Sequence, residues 1–315
     1  MATQSNIATL AEHALGERPL SVVDVGSLGG LLPELEPLTR WIDAVGFDPD
    51  EADCAALEED ARARGRRQRF LPYAVAGSDG VRAFHVCRKP ASSSLLAPNG
   101  AFHSRFAEPE RMEVVRTREL DVRGFGPLLA ELGIQPEFLK LDANGVEDEL
   151  LGSLAEEHWA SLLGVHVELL LGEVYLRQSS FAAVHAALVS HGLELYEFKR
   201  YAARRAAFDT ARHGTRAQVT AADALYLRGG DGLDVQTRRR LGVVAALFGH
   251  YDAAAGEFAA AGDEQALAFV ERLSRRPGPL VRRLATRLIR LGDLGWRLYG
   301  PSAAPWTGDL PPDRF

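Results

Sequence analysis

Short apolar, β-branched runs alternate with helix-period segments along most of the chain. "SVVDVG" (21–26) and "AVGFD" (44–48) read as the first two strands, and "RFLPYAVAG" (69–77) holds a third. "VRAFHVC" (81–87) and "MEVVRTRELD" (112–121) read as shorter pieces or an inserted hairpin. "PEFLKLD" (136–142), "LLGVHVELL" (162–170), "LELYEFKRY" (193–201) and "DALYLRG" (223–229) supply the remaining strands. Helical periodicity fits between them at 51–64, 124–133, 147–160 and 179–191. Strands separated by helices of this length predict an α/β fold with a mostly parallel sheet and right-handed crossovers. The last strands have little helix between them, which predicts an antiparallel edge pair.

After Gly232 the pattern changes. "TRRRLGVVAALFGHYDAAAGEFAAAGDEQALAFVERL" is alanine-rich, with the small-residue spacing of a helical hairpin. One such unit resembles a tetratricopeptide repeat, but a single copy makes no solenoid. "RPGPL" (276–280) predicts a break, and 281–300 is amphipathic, with Arg282, Arg283, Arg287, Arg290 and Arg297. Such a basic helix suits peripheral contact with an anionic membrane surface or an acidic partner, or it packs its leucines inward with the arginines in water. The predicted organisation is a domain over 1–232, a helical extension over 233–300, and a Pro-rich tail over 301–315 that contains Trp306.

Composition narrows the class only slightly. Over 315 residues, 46% are hydrophobic and 25% charged, which are the proportions of an ordinary globular chain. A net charge of -7 argues against a general nucleic-acid binder. Cys54 and Cys87 stand far apart in no metal-ligand spacing, which predicts a reduced, cytoplasmic setting. The first residues, "MATQSNIATLAEHAL", carry neither a basic leader nor a long apolar run, so neither export nor a membrane span is expected.

The candidate chemistry starts at "VVDVGSLGG", where Asp24 ends a strand and Gly26, Gly29 and Gly30 follow in the turn. Such a turn lets a ligand approach the backbone closely. Leu28 stands where a dinucleotide fingerprint needs its second glycine, which weighs against NAD. An acid before the first glycine suits a ligand with an ammonium group instead. Asp48 ends the next strand, where a carboxylate can accept hydrogen bonds from ribose hydroxyls, although "DPD" also reads as a helix cap. "PYAVAG" (72–77) offers small apolar residues of the kind that wall an adenine ring. Together these groups match S-adenosylmethionine better than NAD.

The same row of segments resembles the FkbM family of S-adenosylmethionine-dependent methyltransferases. The likeness lies in "DVGSLGG", "FDPD", "YAVAGSDG", "ASSSLL" (91–96), "VVRTRELD" (114–121), "VHVELLLGEVYLRQSSF" and "HGLELYEF", and above all in "FLKLDANGVEDELL". That last block carries a Lys-x-Asp-x-x-Gly-x-Glu pattern on Lys140, Asp142, Gly145 and Glu147. Asn144 stands where the family often has an acid. The resemblance spans roughly residues 20–230. It implies a Rossmann-like seven-stranded class I methyltransferase sheet with the last strand antiparallel, and O-methylation of a sugar, polysaccharide or natural-product hydroxyl. It also implies cofactor contacts at Asp24, Gly26, Ser27, Gly30, Phe47, Asp48, Ala74, Val75 and Asp142.

Transfer from a sulfonium needs alignment of acceptor, methyl and sulfur, and an alcohol also needs its proton removed. Asp142, at a strand's carboxyl end, is the leading candidate for the reactive end of the cofactor or for the acceptor hydroxyl. Glu168 and His166 share a strand face and are the further catalytic candidates. They and Asp142 could also bind a divalent ion, but without a compact ligand motif no metal is assigned. Ser93, Ser94, His103, Asn144 and Tyr175 are expected to face a small-molecule or glycan acceptor, with His103 a second possible base. A homodimer is compatible with the sequence. Two other readings stay open: a non-catalytic methyltransferase-like module that binds through its C-terminal helices, and an NAD-dependent oxidoreductase.

Overall fold

The computed structural model describes residues 2–207 and 215–275. The basic segment 281–299 and the Pro-rich tail lie outside the described residues. The strands are β1 (Leu20–Val25), β2 (Ile42–Phe47), β3 (Gln68–Leu71), β4 (Ala74–Ala76), β5 (Gly80–Cys87), β6 (Val114–Gly124), β7 (Phe138–Leu141), β8 (Gly164–Leu170), β9 (Leu193–Ala203) and β10 (Gln218–Arg228). The helices are α1 (Ala2–Leu15), α2 (Glu51–Ala63), α3 (Gly100–His103), α4 (Phe125–Glu131), α5 (Glu147–Gly152), α6 (Glu156–Ser161), α7 (Phe181–Ser190), α8 (Val235–Leu247), α9 (Tyr251–Ala260) and α10 (Glu264–Leu273).

Seven strands form one sheet in the order β3-β2-β1-β7-β8-β10-β9. β10 runs antiparallel to both of its neighbours, and the other pairings are parallel. The expected antiparallel edge pair is therefore β9–β10, and the seven-stranded, mostly parallel sheet is present. β5 and β6 form the inserted hairpin, which with β4 makes a second, three-stranded sheet.

Side chains alternate across the strands and feed two cores. Val23, Val25, Leu139, Leu141, Val165 and Val167 face Leu128 of α4, Leu150 of α5 and Val184 of α7. Val22, Phe138, Leu225 and Leu227 face the opposite way. There α1 supplies Leu10 and Ala14, and α8–α10 supply Val244, Phe258 and Val270. The helices after Gly232 thus share the core of this sheet face.

At the amino-terminal end of the sheet, Arg240 of α8 reaches Glu137, just before β7. Its Nε donates to Oε1 and its Nη2 to Oε2, both at 2.5 Å. The remaining Arg240 donors go to the Arg18 and Pro19 carbonyls, and Ser21 N–H donates to Glu137 Oε2 at 3.0 Å. Both side chains are buried. A pair so enclosed holds together only because every polar atom is matched. Asp263, the N-cap of α10, likewise binds His13 of α1 and Arg239 of α8, each at 2.8 Å.

Three expectations change. The run 69–77 is two strands in different sheets. Pro72 has no N–H to offer a ladder, and the chain turns there with Tyr73 N–H on the Leu71 carbonyl at 2.8 Å. The single helix expected over 147–160 is α5 and α6. Gly126 of α4 packs its backbone on the break, where a Cβ would stand 1.8 Å from the Ser153 carbonyl. Lastly, α1 is a helix in a stretch read only for the absence of a leader. Its apolar positions Ile7, Leu10, Ala11, Ala14 and Leu15 are all buried.

Candidate active site

The carboxyl ends of β1, β2, β7 and β8 converge, as the parallel sheet requires. Gly26 turns the chain out of β1 at φ 77°, a conformation that favours glycine. A Cβ there would stand 2.0 Å from the Asp142 carbonyl, so the turn lies pressed against the end of β7. Gly29 and Gly30 also have positive φ, and a Cβ on Gly29 would meet nothing within 4 Å. The turn is held from α2, where Asp53 accepts the Gly29 N–H at 2.8 Å.

Asp24 does not face this open side. It is fully buried and pairs with Lys140 at 3.0 Å, while Leu32 N–H donates to its other oxygen. The ammonium it was expected to hold is the chain's own. Burial pushes its carboxyl up to about 6 despite Lys140. Lys140 also donates to the Gly26 carbonyl at 2.6 Å and the Val25 carbonyl at 3.2 Å, so it braces the turn from beneath. Burial works against its charge, but Asp24 and Asp142 more than offset that and its pKa is raised.

Asp142 stands above this pair, 3.7 Å from the Lys140 ammonium, with its side chain 45% exposed. Asp48 ends β2 and is half-buried; burial raises its pKa, and its Oδ1 accepts the Asp50 N–H at 2.9 Å. Asp50 is itself the cap of α2, accepting Ala52 and Asp53 N–H. The capping role in "DPD" therefore belongs to Asp50, and the half-buried Asp48 is left at the end of β2.

Several expected cofactor contacts turn inward. Ser27 is buried against β2, where a Cβ on Gly46 would stand 2.6 Å from its Oγ. Phe47 packs edge-on against Phe125 in the core, leaving only its carbonyl to bind the Gly26 and Ser27 N–H groups. Ala74 and Val75 are buried, one in a small cluster with Val122 and the other in the main core. Of the side chains expected to contact a cofactor, Asp48 and Asp142 remain accessible beside the turn.

The expected acceptor residues do come together, but as a knot. Asn144, at φ 54°, donates its amide to the Ala91 and Ser93 carbonyls at 3.1 and 3.2 Å. Its side-chain oxygen accepts the Tyr175 hydroxyl at 3.0 Å, and its carbonyl accepts the Ser94 hydroxyl at 2.7 Å. Tyr175 is buried and also hydrogen-bonds the Ser92 carbonyl. The Ser93 hydroxyl accepts the Cys87 N–H. The polar groups of Ser94, Asn144 and Tyr175 are engaged within the set, so these three shape the loops, while the Ser93 hydroxyl accepts from Cys87 and keeps its own hydrogen to donate. His103 lies apart, with Nε2 2.9 Å from the Val174 carbonyl, beside a cavity of about 310 Å³ that it shares with Pro98 and Met112. Burial lowers its pKa.

Glu168 and His166 occupy the face of β8 that also carries Lys140 on β7. His166 lies one layer deeper, ring-stacked 6.3 Å from Phe248 at the end of α8, and burial lowers its pKa. It is therefore a wall, set back from the mouth. Glu168 is at the mouth and half-buried, and its Oε2 is enclosed without a hydrogen-bond partner. Burial, then the Asp142, Glu147 and Asp223 carboxylates, raises its pKa well above the usual range. Among the described residues no group of three or more His, Cys, Asp or Glu side chains is arranged to hold a metal ion.

Two site residues were missed. Lys140 was named in a pattern but not given its partner, although a lysine inside the apolar "FLKL" demands one. Asp223 pairs directly across from Glu168 in the antiparallel ladder and accepts the Tyr201 hydroxyl. Because β10 runs backwards, the start of "DALYLRG" lies at the mouth.

No family model matches the chain, and no curated protein does. Solved structures resemble it in outline. Magnesium protoporphyrin IX methyltransferase from Synechocystis PCC 6803, with bound S-adenosylmethionine, aligns at 14% identity over 72% of this chain and 78% of its own, TM-score 0.36. Precorrin-6y C5,15-methyltransferase from Geobacter metallireducens GS-15 aligns at 7% identity over 70% and 88%, TM-score 0.34. A methyltransferase from Agrobacterium tumefaciens aligns at 10% identity over 72% and 62%, TM-score 0.34. None of these likenesses decides an activity. No helix of the described residues is long and apolar enough to cross a membrane.

Proposed function

We propose that the chain is an S-adenosylmethionine-dependent O-methyltransferase acting on a hydroxyl of a glycan or natural-product acceptor. The observation that carries this reading is Asp142. It is a half-exposed carboxylate above the Asp24–Lys140 pair, set between the Gly26–Gly30 turn and the Glu168 carboxylate.

The residues around the turn fit the cofactor. Asp48, with Oδ1 on the Asp50 N–H, presents its carboxylate where ribose hydroxyls would be received. Asp142 is the exposed acid for the methionine ammonium, since Asp24 is already neutralised by Lys140. The open side of Gly29 lets the backbone approach a ligand. When bound, S-adenosylmethionine supplies an electrophilic methyl on sulfonium. The chain's tasks are then to align the acceptor and to take its proton. Glu168, with a carboxylate oxygen that has no partner, stands on the acceptor side of the mouth, where that proton must be taken up.

Thermal melts test the cofactor. S-adenosylmethionine and its demethylated product should raise the melting temperature, and NAD should not. Saturation a hundredfold above the dissociation constant adds about 2.7 kcal/mol, which a melt resolves. No shift with the wild-type chain sinks the reading. A shift retained in Asp48→Ala removes Asp48 from the ribose site.

A further inference from the structure

Asp142, Glu168 and Asp223 form a row across the mouth of the sheet. Leu141 pairs with Val167, so the next residues along bring Asp142 beside Glu168, and Glu168 pairs directly with Asp223. Neighbouring strands stand about 4.8 Å apart, so these acids are adjacent. Like charges directly opposite in an antiparallel pair destabilise it. Asp223 nevertheless holds its place, fixed by the Tyr201 hydroxyl from β9, while Glu168 Oε2 is sealed without a partner.

We propose that Glu168 and Asp223 share one proton, and that this pair, with Asp223 oriented by Tyr201, is the acceptor-side base of the methyl transfer. Asp223 is then a catalytic residue and Tyr201 a positioning residue. The role rests on the methyltransferase reading. In the step, the acceptor O–H breaks and its proton passes to the ionised member of the pair. The O–CH3 bond forms as the C–S bond of the sulfonium donor breaks, and that electron pair leaves on sulfur.

The surroundings favour one shared proton over two separate charges. Asp142, just past β7, and Glu147 from α5 add negative charge beside Glu168, and Lys140 opposes them. Burial raises the Tyr175 and Tyr201 phenols; Glu168 adds to this at Tyr175, and Asp223 and then Glu168 add to it at Tyr201. On the Asp223 side, burial raises the carboxyl, and the Tyr201 hydroxyl, His166 and Lys199 oppose it. The donor on Asp223 favours its ionised form, so the proton resides mainly on Glu168.

Carbon-13 NMR of the carboxyl groups in the full chain, labelled in Asp and Glu, tests this without cofactor or acceptor. In the wild type, the Glu168 and Asp223 signals should each move at both of two shared pH midpoints. In Asp223→Asn, Glu168 should titrate in a single step, about one pH unit or more lower, because its like-charged neighbour is gone. In Tyr201→Phe, which keeps the ring, the upper midpoint should rise and the Asp223 signal should carry more of it. Glu168→Gln provides the reciprocal reading on Asp223. A Glu168 midpoint unmoved in Asp223→Asn, or an Asp223 signal unmoved in Tyr201→Phe, overturns the pairing. Because these titrations need no cofactor, their failure leaves the melts untouched, and a failed melt leaves the titrations standing.

Discussion

Two glutamates on adjacent strands show opposite treatments of a buried acid. Glu137, at the amino-terminal floor of the sheet, receives Arg240 on both oxygens, with Arg18 and the Ser21 N–H beside it. Glu168, at the carboxyl-terminal mouth, has an enclosed oxygen with no partner and three carboxylates for neighbours. Between them stands Glu147, buried and bonded to the Ala143 and Gly145 N–H groups at 3.1 Å, with no ion pair among the described residues. The floor is built to hold and the mouth is built to receive. A saturated set of hydrogen bonds marks scaffold, and an unsatisfied buried carboxylate marks a place for a ligand or a proton.

The floor gives the sharpest break. Arg240→Ala leaves Glu137 buried without its main counter-charge and should cost about 3–5 kcal/mol in chemical denaturation. A loss under about 1 kcal/mol would mean the pair is not closed in solution, and the contrast with the mouth would fall. The knot comes next. Asn144→Ala strands the Ala91 and Ser93 carbonyls and leaves the Tyr175 hydroxyl with the Ser92 carbonyl alone, and should cost about 1–3 kcal/mol in the same measurement. If it instead left stability intact and abolished acceptor turnover, Asn144 would return to the binding surface.

Glu147 tests the intermediate case by pH. Burial pushes its carboxyl up to about 7 from an ordinary 4.5. The folded state therefore keeps a proton that the unfolded chain has released. Its contribution is full below about 4.5 and is lost as pH rises through about 7. Glu147→Gln should flatten that part of the stability profile, and an unchanged wild-type slope would refute the cause. The smallest effect belongs to the mouth. Glu168→Gln replaces a carboxyl whose enclosed oxygen has no partner and should leave stability within about 1 kcal/mol of wild type, or raise it, while turnover falls. A large destabilisation would class Glu168 with Glu137.

Much of the fold was legible because strand runs and helix periods are local. The parallel strands, the late antiparallel pair and the hairpin over 81–121 follow from them. What escaped depended on contacts distant in sequence. Lys140 meets Asp24 only through the β1–β7 register, and Asp223 meets Glu168 only because β10 reverses. The break in 147–160 comes from Gly126, some twenty-seven residues before it. Asn144, Ser94 and Tyr175 were correctly drawn to one place, but sequence cannot tell a polar group with its bonds made from one that still needs them. The side chains of Phe47, Ala74 and Val75 turn inward for a related reason, since a strand-end side chain points inward or outward by a single residue of register.

The proposed cofactor seat at the Gly26–Gly30 turn is flanked by Asp48 and Asp142. Calorimetric titration of S-adenosylmethionine into the wild type and into Asp48→Ala and Asp142→Asn is its sharpest test. The wild type should show one site per chain, Asp48→Ala no measurable binding, and Asp142→Asn weakened binding. Absence of heat in the wild type, or equal affinity in all three, would remove the seat from this turn.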